Sequence, residues 1–273
     1  MTDIFETIAA RAAAVERPGD FRRDGLLYCG TCGAPKECRV PLLGEPRVVG
    51  CMCACQTAEW EAEQAEVKAR EARVKARRWR QAGIADAALT SCRFESAQPT
   101  PELAKCRTYV DRWEDMKAGN NGLLFWGNTG NGKTYAAACI ANALIDRGVR
   151  AIVTSFPRIL GLDLDAQRAL LEQVRTVPLL VLDDLGAERN TEYSLEQVYK
   201  LVDERYKSGK PLIATTNLTL KDLCHPADMD HQRVYDRVLE MCVPVAFTGD
   251  SRRRPRAQEK KRAAEALFRE GTE

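Results

Sequence analysis

The sequence contains no apolar run that approaches the ~20 residues needed for a membrane-spanning helix. Its N-terminus carries acidic residues and lacks the apolar core and cleavage site of a secretory signal peptide. We therefore expect a cytoplasmic protein with no membrane partner. A strong overall charge is also missing, because 41 Lys and Arg against 39 Asp and Glu leave a net charge of +2. The net charge alone thus indicates no particular partner.

The chain is long enough to bury a sizeable core, since its 273 residues allow one large domain, or one such domain and a small module. A hydrophobic fraction of 45% and a charged fraction of 29% are typical of a globular protein. From Arg252 onward the sequence holds eight Lys or Arg and four Glu. Such a basic tail can contact nucleic-acid phosphates, and it is at least as typical of a solvated terminus.

Cysteines are concentrated near the N-terminus, where six of the 11 fall between residues 29 and 55. The reducing compartment that we expect argues against a disulfide framework, so the cluster points to a metal instead. Cys29 and Cys32 form a C-x-x-C pair in a stretch rich in glycine and proline. Four thiolates can form a closed tetrahedral zinc site, and binding of Zn²⁺ would supply much of the folding free energy of so small a module. Reduced cysteines without metal are the alternative.

Composition divides the chain into four regions. We predict an N-terminal cysteine-rich zinc module (1–55), a charged helical connector (56–83), a larger α/β domain (84–254) and a basic C-terminal tail (255–273). The module should begin with a short amphipathic helix that Pro18 and Gly19 end. The connector is rich in Ala, Glu, Lys and Arg, which favour a helix, and its few apolar residues lie mostly seven apart. This spacing indicates a narrow stripe for a partner helix, or simply an exposed connector.

The third region alternates short apolar runs with helical stretches, which predicts a parallel sheet covered by helices on both faces. The expected helices include residues 133–147 and 192–208. The expected strands are 122–127, 150–155, 178–184, 211–217 and 243–247.

A glycine-rich stretch between the first strand and the first of these helices matches the phosphate-binding pattern G-x-x-x-x-G-K-[ST] in full. In such a loop, backbone N–H groups and the start of the helix surround phosphate oxygens. Lys133 can then reach the β- and γ-phosphates of ATP, and the Thr134 hydroxyl can bind Mg²⁺. The candidate binding residues are Gly127, Asn128, Thr129, Gly130, Asn131, Gly132, Lys133 and Thr134.

Two acidic residues follow the apolar strand that begins at Pro178. At the carboxyl end of a neighbouring strand, Asp183 would lie beside the phosphate loop and hold Mg²⁺ directly or through water. Asp184 is the candidate group to polarise the attacking water. Two turn aspartates without a catalytic role are the alternative, and the phosphate loop argues against it.

Together these motifs resemble an AAA+ ATPase, and more closely the bacterial helicase loaders of the DnaC/DnaI type and the transposase-helper ATPases of the IstB type. The resemblance covers roughly residues 84–254. It implies an α/β fold of the AAA+ P-loop type, with GNTGNGKT (127–134) as Walker A and LLVLDDLGAE (179–188) as Walker B. Residues 83–96 are similar to the segment that leads into the ATPase core of these loaders.

Further residue roles follow from the same resemblance. Asn217, the last residue of IATTN (213–217), matches sensor 1. Arg237 matches the arginine finger that a subunit places at a neighbour's γ-phosphate. Such contacts require subunits packed head to tail in a homo-oligomer. Arg253 is our choice for sensor 2, with Arg252 as a near alternative. An ordinary surface salt bridge is the alternative role for Arg237.

The second acidic residue after the strand departs from the family pattern, and this bears on the rate of ATP hydrolysis. Many AAA+ enzymes carry Asp-Glu where this chain has Asp183 and Asp184. The shorter second carboxylate favours slow, partner-stimulated hydrolysis, as in a switch, over fast turnover. Glu188 lies close by in the sequence and is a weaker candidate to share the role of Asp184.

For the second pair of zinc ligands the resemblance favours Cys53 and Cys55, because a C-x-C directly before a long helix is common in related proteins. Cys51 is the main alternative, and Cys38 is not expected to bind the metal. In DnaI-like loaders a zinc-bearing N-terminal region contacts the replicative helicase.

We therefore expect an ATP-dependent DNA-replication accessory protein, specifically a replicative helicase loader that also binds single-stranded DNA. The basic tail and the helical region after Pro157 are the candidates for DNA contact. A transposition helper of the IstB type shares every ATPase motif, although the cysteine module argues mildly against it. A small-molecule kinase built on the same loop is a third hypothesis, which the sensor-like Asn217 and finger-like Arg237 disfavour.

Overall fold

A computed structural model of the chain describes residues 14–42, 45–187, 191–226, 228–252, 258–262, 264–265 and 268. The chain forms two compact units, Met1–Glu71 and Ala72–Glu273. The start of the predicted N-terminal helix, with Ile4, Phe5 and Ile8, lies outside the described residues. None of the described helices is long and apolar enough to cross a membrane. The predicted domain boundaries stay a prediction.

The N-terminal unit contains two small antiparallel hairpins. The first pairs β1 (Phe21–Arg23) with β2 (Leu26–Tyr28). The second pairs β3 (Glu37–Leu42) with β4 (Glu45–Gly50). A 30-residue helix, α1 (Ala54–Gly83), follows, and the boundary between the two units falls within it. These short strands fit the glycine- and proline-rich composition of residues 26–55.

The C-terminal unit is built on a five-stranded parallel sheet. Its strands in chain order are β5 (Gly122–Trp126), β6 (Ala151–Ser155), β7 (Leu179–Leu185), β8 (Leu212–Thr216) and β9 (Cys242–Ala246). Their order across the sheet is β6-β7-β8-β5-β9. All neighbouring pairs are parallel. The five predicted strands are thus confirmed, with ends that differ by one residue at most sites.

Helices connect these strands and cover the sheet. In chain order they are α2 (Pro101–Asp111), α3 (Trp113–Ala118), α4 (Lys133–Asp146), α5 (Phe156–Leu160), α6 (Leu164–Thr176), α7 (Glu192–Lys207), α8 (Leu220–Cys224) and α9 (Met229–Met241). The predicted helices 133–147 and 192–208 correspond to α4 and α7. Two 3-10 turns, Ala87–Ser91 and Phe94–Ser96, precede α2.

Strand periodicity explains why both faces of the sheet are buried. Successive side chains of a strand point to opposite faces, so a strand covered on both sides reads as a continuous apolar run. In β7, Leu179 and Val181 join a cluster that includes α2 and α4. Leu180 and Leu182 join a second cluster that includes α6, α7 and α9. The sheet therefore separates two apolar layers, and polar side chains are left at the strand ends.

A buried cation connects the starts of two strands. The Arg205 side chain near the end of α7 is fully buried and donates to the carbonyl oxygens of Val174, Val177, Pro178 and Pro211. Burial lowers the pKa of this guanidinium to about 9. Its hydrogen bonds give donors to carbonyl groups that precede β7 and β8, where Pro211 O also accepts from the backbone N–H of Leu180 at 3.4 Å.

Candidate nucleotide and zinc sites

The glycine-rich loop lies between β5 and α4, as the motif predicts. Gly130 and Gly132 have φ angles of 90° and 99°, a region that side chains rarely adopt. At Gly130 a Cβ atom would also lie 2.3 Å from the Ser251 hydroxyl. Helix α4 begins directly after Gly132, so its first N–H groups and positive dipole end face the loop. The local backbone therefore fits a bound phosphate group.

The ammonium group of Lys133 lies inside the loop. Its Nζ donates to the carbonyl oxygens of Gly127 at 2.7 Å and Asn128 at 2.8 Å. It also donates to Asn217 Oδ1 at 2.9 Å. Lys133 is 5% exposed, so these oxygens replace water around its charge. The structure thereby brings Lys133 and the predicted sensor residue Asn217 together across strands β5 and β8.

The candidate Mg²⁺ ligands are joined by a hydrogen bond. Thr134 Oγ1 donates to Asp183 Oδ1 at 2.8 Å, and Thr215 Oγ1 donates to the same oxygen at 2.6 Å. Burial raises the pKa of Asp183, although the two hydroxyl groups act in the opposite direction. A hydroxyl and a carboxylate at this spacing are oxygen ligands of the kind that Mg²⁺ prefers. These residues fit the ion that an ATP site requires.

Asp184 lies at an irregularity of β7. The register with β8 shifts between Leu182 and Leu185, and Asp184 has a φ angle of 59°. Its backbone N–H donates to Thr215 Oγ1 at 3.0 Å. A bulge of this kind re-aims side chains, and strained backbone of this type occurs at functional sites. Glu188, the weaker candidate for the same role, lies outside the described residues.

Thr215 is a site residue that motif reading missed. It lies within the IATTN stretch, and its hydroxyl contacts both Asp183 and Asp184, donating to one and accepting from the other. Its position on β8 beside the end of β7 follows from the strand order, which the sequence did not specify. The sequence signal for Thr215 is a pair of polar threonines that ends an apolar strand.

The chain segment after β9 returns to the phosphate loop. The backbone N–H of Arg252 donates to Gly130 O at 2.9 Å. A Cβ atom built on Gly132 would lie 3.9 Å from Arg252 Nη1. Arg253, our first choice for sensor 2, lies outside the described residues. Among the described residues, the alternative Arg252 lies at the loop.

Arg237 contacts α7 of its own chain. Its Nη2 atom lies 3.1 Å from Asp203 Oδ1 and 3.1 Å from the Tyr199 hydroxyl. The guanidinium carbon lies 4.8 Å from the centroid of the Tyr199 ring and 5.7 Å from that of Tyr206. The salt bridge named above as the alternative is thus present in this conformation. A role at a neighbour's nucleotide stays a prediction.

A cavity opens beside the candidate Mg²⁺ ligands. It has a volume of about 360 Å³, and Thr134 and Asp183 form part of its wall. The segment that begins at Ala85 and the end of β6 at Ser155 contribute other parts. The cavity leaves space next to the loop for groups that bind there.

Four sulfur atoms of the N-terminal unit lie together. The Sγ atoms of Cys29, Cys32, Cys53 and Cys55 are all within 4.8 Å of one another. A tetrahedral zinc site with bonds of ~2.3 Å requires sulfur atoms about 3.8 Å apart, so only a small contraction is needed. These are the four cysteines that we predicted. Cys51 and Cys38 are not members of the group, and Cys51 Sγ instead donates to Pro35 O at 3.4 Å.

Local hydrogen bonds favour the thiolate form of one of these cysteines, which is the form that binds a metal. The backbone N–H groups of Cys32 and Thr31 lower the pKa of Cys29 to about 6. The hydrogen bond with the Cys32 thiol, together with burial, raises the pKa of Cys55 to about 11. A divalent cation would favour all four thiolates at once, which fits the all-sulfur donor set. The cluster could therefore hold zinc.

A buried ion pair supports the turn of the first two cysteines. Lys36 donates to the Asp20 carboxylate and, at 2.5 Å, to Val15 O. Asp20 in turn accepts from the backbone N–H of Gly30 at 3.0 Å. The hydrogen bond from Lys36 lowers the pKa of Asp20 to about 2. The pair thereby fixes the backbone directly after Cys29.

Comparisons with known proteins agree with this geometry. The family model described as IstB-like ATP binding protein matches residues 63–263. The replicative helicase loader DnaC of Escherichia coli (strain K12) is 28% identical over 176 residues, which cover 60% of this chain and 69% of that protein. The replicative helicase loader DnaI of Bacillus subtilis (strain 168) is 28% identical over 149 residues, or 49% of this chain and 48% of that protein.

A solved structure of DnaI has the same fold. It superposes with a TM-score of 0.53 at 22% sequence identity and covers 62% of this chain and 95% of that chain. The predicted fold class, a P-loop parallel sheet of the AAA+ type flanked by helices, is confirmed.

Proposed function

Since the chain belongs to the family of IstB-like ATP-binding proteins, we propose that it acts as an ATP-dependent replicative helicase loader. An ATP-binding AAA+ domain related to DnaC and DnaI is its established part. The observation that supports the loader role is the combination of this domain with a separate unit that carries four clustered thiols. We propose that this unit binds Zn²⁺ and contacts the helicase.

In the nucleotide site, each side chain has a definite task. Lys133 exchanges its carbonyl partners for phosphate oxygens of ATP, and the N–H groups at the start of α4 bind the same phosphates. Thr134 and Asp183 hold Mg²⁺, which supplies charge neutralisation of the triphosphate when bound. Asp184 orients the attacking water, and Asn217 positions that water near the γ-phosphate. Thr215 keeps the two aspartates in place.

Two arginines complete the proposed site. Arg252, which lies at the phosphate loop, acts as the sensor 2 group of the same subunit. Arg237 acts at the nucleotide of a neighbouring subunit, where its guanidinium stabilises charge in the transition state. Hydrolysis then depends on a head-to-tail homo-oligomer, and an isolated subunit turns over slowly. Single-stranded DNA is the proposed second partner.

The second candidate function is a transposition helper of the IstB type. The description of the matching family model favours it, and it would use the same ATP site. The cysteine cluster favours the loader role, because it adds a metal-dependent unit outside the ATPase domain.

A binding experiment with the replicative helicase of the same cell tests the loader role. The zinc-loaded protein should form a complex with the helicase that changes when ATP replaces ADP. Cys29→Ser should weaken the complex without changing the affinity for ATP, and Lys133→Ala should abolish nucleotide binding and the nucleotide effect. Cys38→Ser, which leaves the four sulfurs intact, is the matched control.

Three outcomes would contradict the proposal. If no ATP-sensitive complex with the helicase forms, the loader role is wrong. If a cognate transposase binds instead, the helper role replaces it. ATP hydrolysis that DNA does not stimulate, together with a phosphorylated small molecule, would indicate a kinase.

A further inference from the structure

The contacts of Arg237 on its own subunit deepen the proposed function, on which this inference rests. Every terminal nitrogen of the guanidinium already has a partner within the chain. Nη1 donates to Arg233 O at 2.9 Å, and Nη2 contacts the Tyr199 hydroxyl and Asp203 Oδ1, each at 3.1 Å. An arginine finger must present these same N–H groups to a neighbour's phosphate oxygens. The observed conformation cannot serve both purposes.

The same guanidinium also packs against two aromatic rings. The guanidinium lies over the ring of Tyr199 and near that of Tyr206, at distances typical of cation–π contacts. Tyr206 is fixed in turn, because its hydroxyl donates to Glu240 Oε1 at 2.9 Å. The Arg237 side chain is 26% exposed as a result. Tyr199, Asp203 and Tyr206 of α7 thus form a binding site for the guanidinium, which we call the receptacle.

The receptacle nevertheless leaves Arg237 incompletely satisfied. The Nε atom is buried and has no hydrogen-bond partner among the described residues. Asp203 is also shared, because its Oδ2 atom accepts from Lys207 Nζ at 2.6 Å. A carboxylate divided between two cations binds each less strongly than it would bind one alone. A neighbour's triphosphate can therefore compete for the guanidinium.

We propose that Tyr199 and Asp203 are positioning residues that store the arginine finger on its own subunit until a nucleotide-bound neighbour takes it. Arg237 must then leave α7 before subunits can assemble. Because breaking its contacts costs free energy, hydrolysis needs a higher protein concentration than it would without them. Lys207 remains on Asp203 after the finger leaves, so the carboxylate is not left unpaired. ATP binding in one subunit is thereby linked to a side-chain rearrangement in the next.

Asp203→Asn tests this role. The variant weakens the hold on Arg237, so ATP hydrolysis should reach half its maximum at a protein concentration lower by about two- to fivefold, the range of a partly exposed ion pair. Glu196→Gln is the matched control. It changes the same charge on the same helix and also frees a lysine, since Lys200 Nζ lies 2.6 Å from Glu196 Oε1. Maximal turnover per assembled subunit should stay unchanged in both variants.

Tyr199→Phe keeps the ring and removes only the hydroxyl, so it should give a smaller shift in the same direction. If thermal unfolding shows that Asp203→Asn does not fold, Tyr199→Phe still tests the storage of Arg237. Sedimentation with a non-hydrolysable ATP analogue should show the same order of self-association, with the Asp203 variant tightest.

A complementation experiment separates this inference from the proposed function. Lys133→Ala retains a finger but no nucleotide site, and Arg237→Ala retains a site but no finger. If a mixture of the two does not recover activity, the finger does not act between subunits, and both this role of Arg237 in the proposed function and its storage are wrong. If the mixture recovers activity but Asp203→Asn behaves like Glu196→Gln, or needs more protein, only the storage role is wrong.

Discussion

The two units of this protein differ in what stabilises them. Among the described residues before 72, the buried apolar side chains are Leu27, Cys29 and Cys53. The C-terminal unit instead buries both faces of a five-stranded sheet under helices. Burial of apolar area yields roughly 25 cal/mol per Å², so the second unit has an ample source of stability and the first has very little. The comparison explains why four thiols converge in the smaller unit.

Metal removal should produce the largest difference between the units. Structural zinc in small modules contributes an apparent ~10–16 kcal/mol, which is folding free energy in a unit without a core. We expect a chelator to unfold the N-terminal unit of the intact protein and to leave ATP affinity unchanged. Limited proteolysis would measure unfolding of the N-terminal unit, and a chromogenic assay would measure the zinc released at the same time.

The matched variants are Cys29→Ser and Cys38→Ser. Only the first should release metal and expose the N-terminal unit to protease. Equal loss of metal in both variants, or continued protection of the unit after chelation, would remove the contrast between the two units.

Removal of the buried cation should produce the next largest effect, this time in the C-terminal unit. Arg205→Met removes a donor from four carbonyl groups, of which only Pro211 O keeps a backbone donor among the described residues, the N–H of Leu180 at 3.4 Å. Each buried group left without a donor costs ~1–3 kcal/mol. We expect the free energy of unfolding of this unit to fall by about 3 kcal/mol or more. Denaturant unfolding of the zinc-loaded protein would measure it.

Arg175→Met is the control, because that arginine lies at the surface and pairs with Glu172 and Glu204. Its loss should cost less than ~1 kcal/mol. Similar losses in the two variants would mean that the apolar layers alone hold the starts of β7 and β8.

A smaller effect is expected at the nucleotide site from Thr215→Val. The variant removes one hydrogen bond from Asp183 and leaves the Asp184 N–H without its acceptor. We expect kcat to fall about tenfold, equivalent to ~1.4 kcal/mol, with a higher Mg²⁺ concentration at half-saturation. Steady-state ATPase measurements over a range of Mg²⁺ concentrations would show it.

Thr216→Val provides the comparison for this test. Thr216 is equally buried, but its hydroxyl donates to Leu185 O and not to an aspartate. Its replacement should lower stability and leave the Mg²⁺ dependence unchanged. A shift of the Mg²⁺ dependence in both variants would show that Thr215 has no specific role.

Sequence reasoning recovered the features that depend on contiguous residues. The phosphate loop and the five strands of the sheet, including the one that carries Asp183, each have a local pattern, so their positions could be read directly. The four predicted cysteines lie on either side of the second hairpin, with Cys29 and Cys32 in a C-x-x-C spacing and Cys53 and Cys55 in the C-x-C that the family resemblance favoured. Arg205, by contrast, reads as an ordinary charged residue near a helix end, and its burial depends on carbonyl groups from three other segments.

The amino-acid sequence by itself determined the P-loop, the alternation of strands and helices, and a cysteine-rich unit poor in apolar residues. These follow from backbone conformation, side-chain periodicity and composition, which act over a few residues. Only the tertiary structure decided which side chains meet: Thr215 with both aspartates, Arg252 with the loop, and Arg237 with Tyr199 and Asp203. Contacts between distant segments depend on strand order and helix packing, which no local pattern specifies.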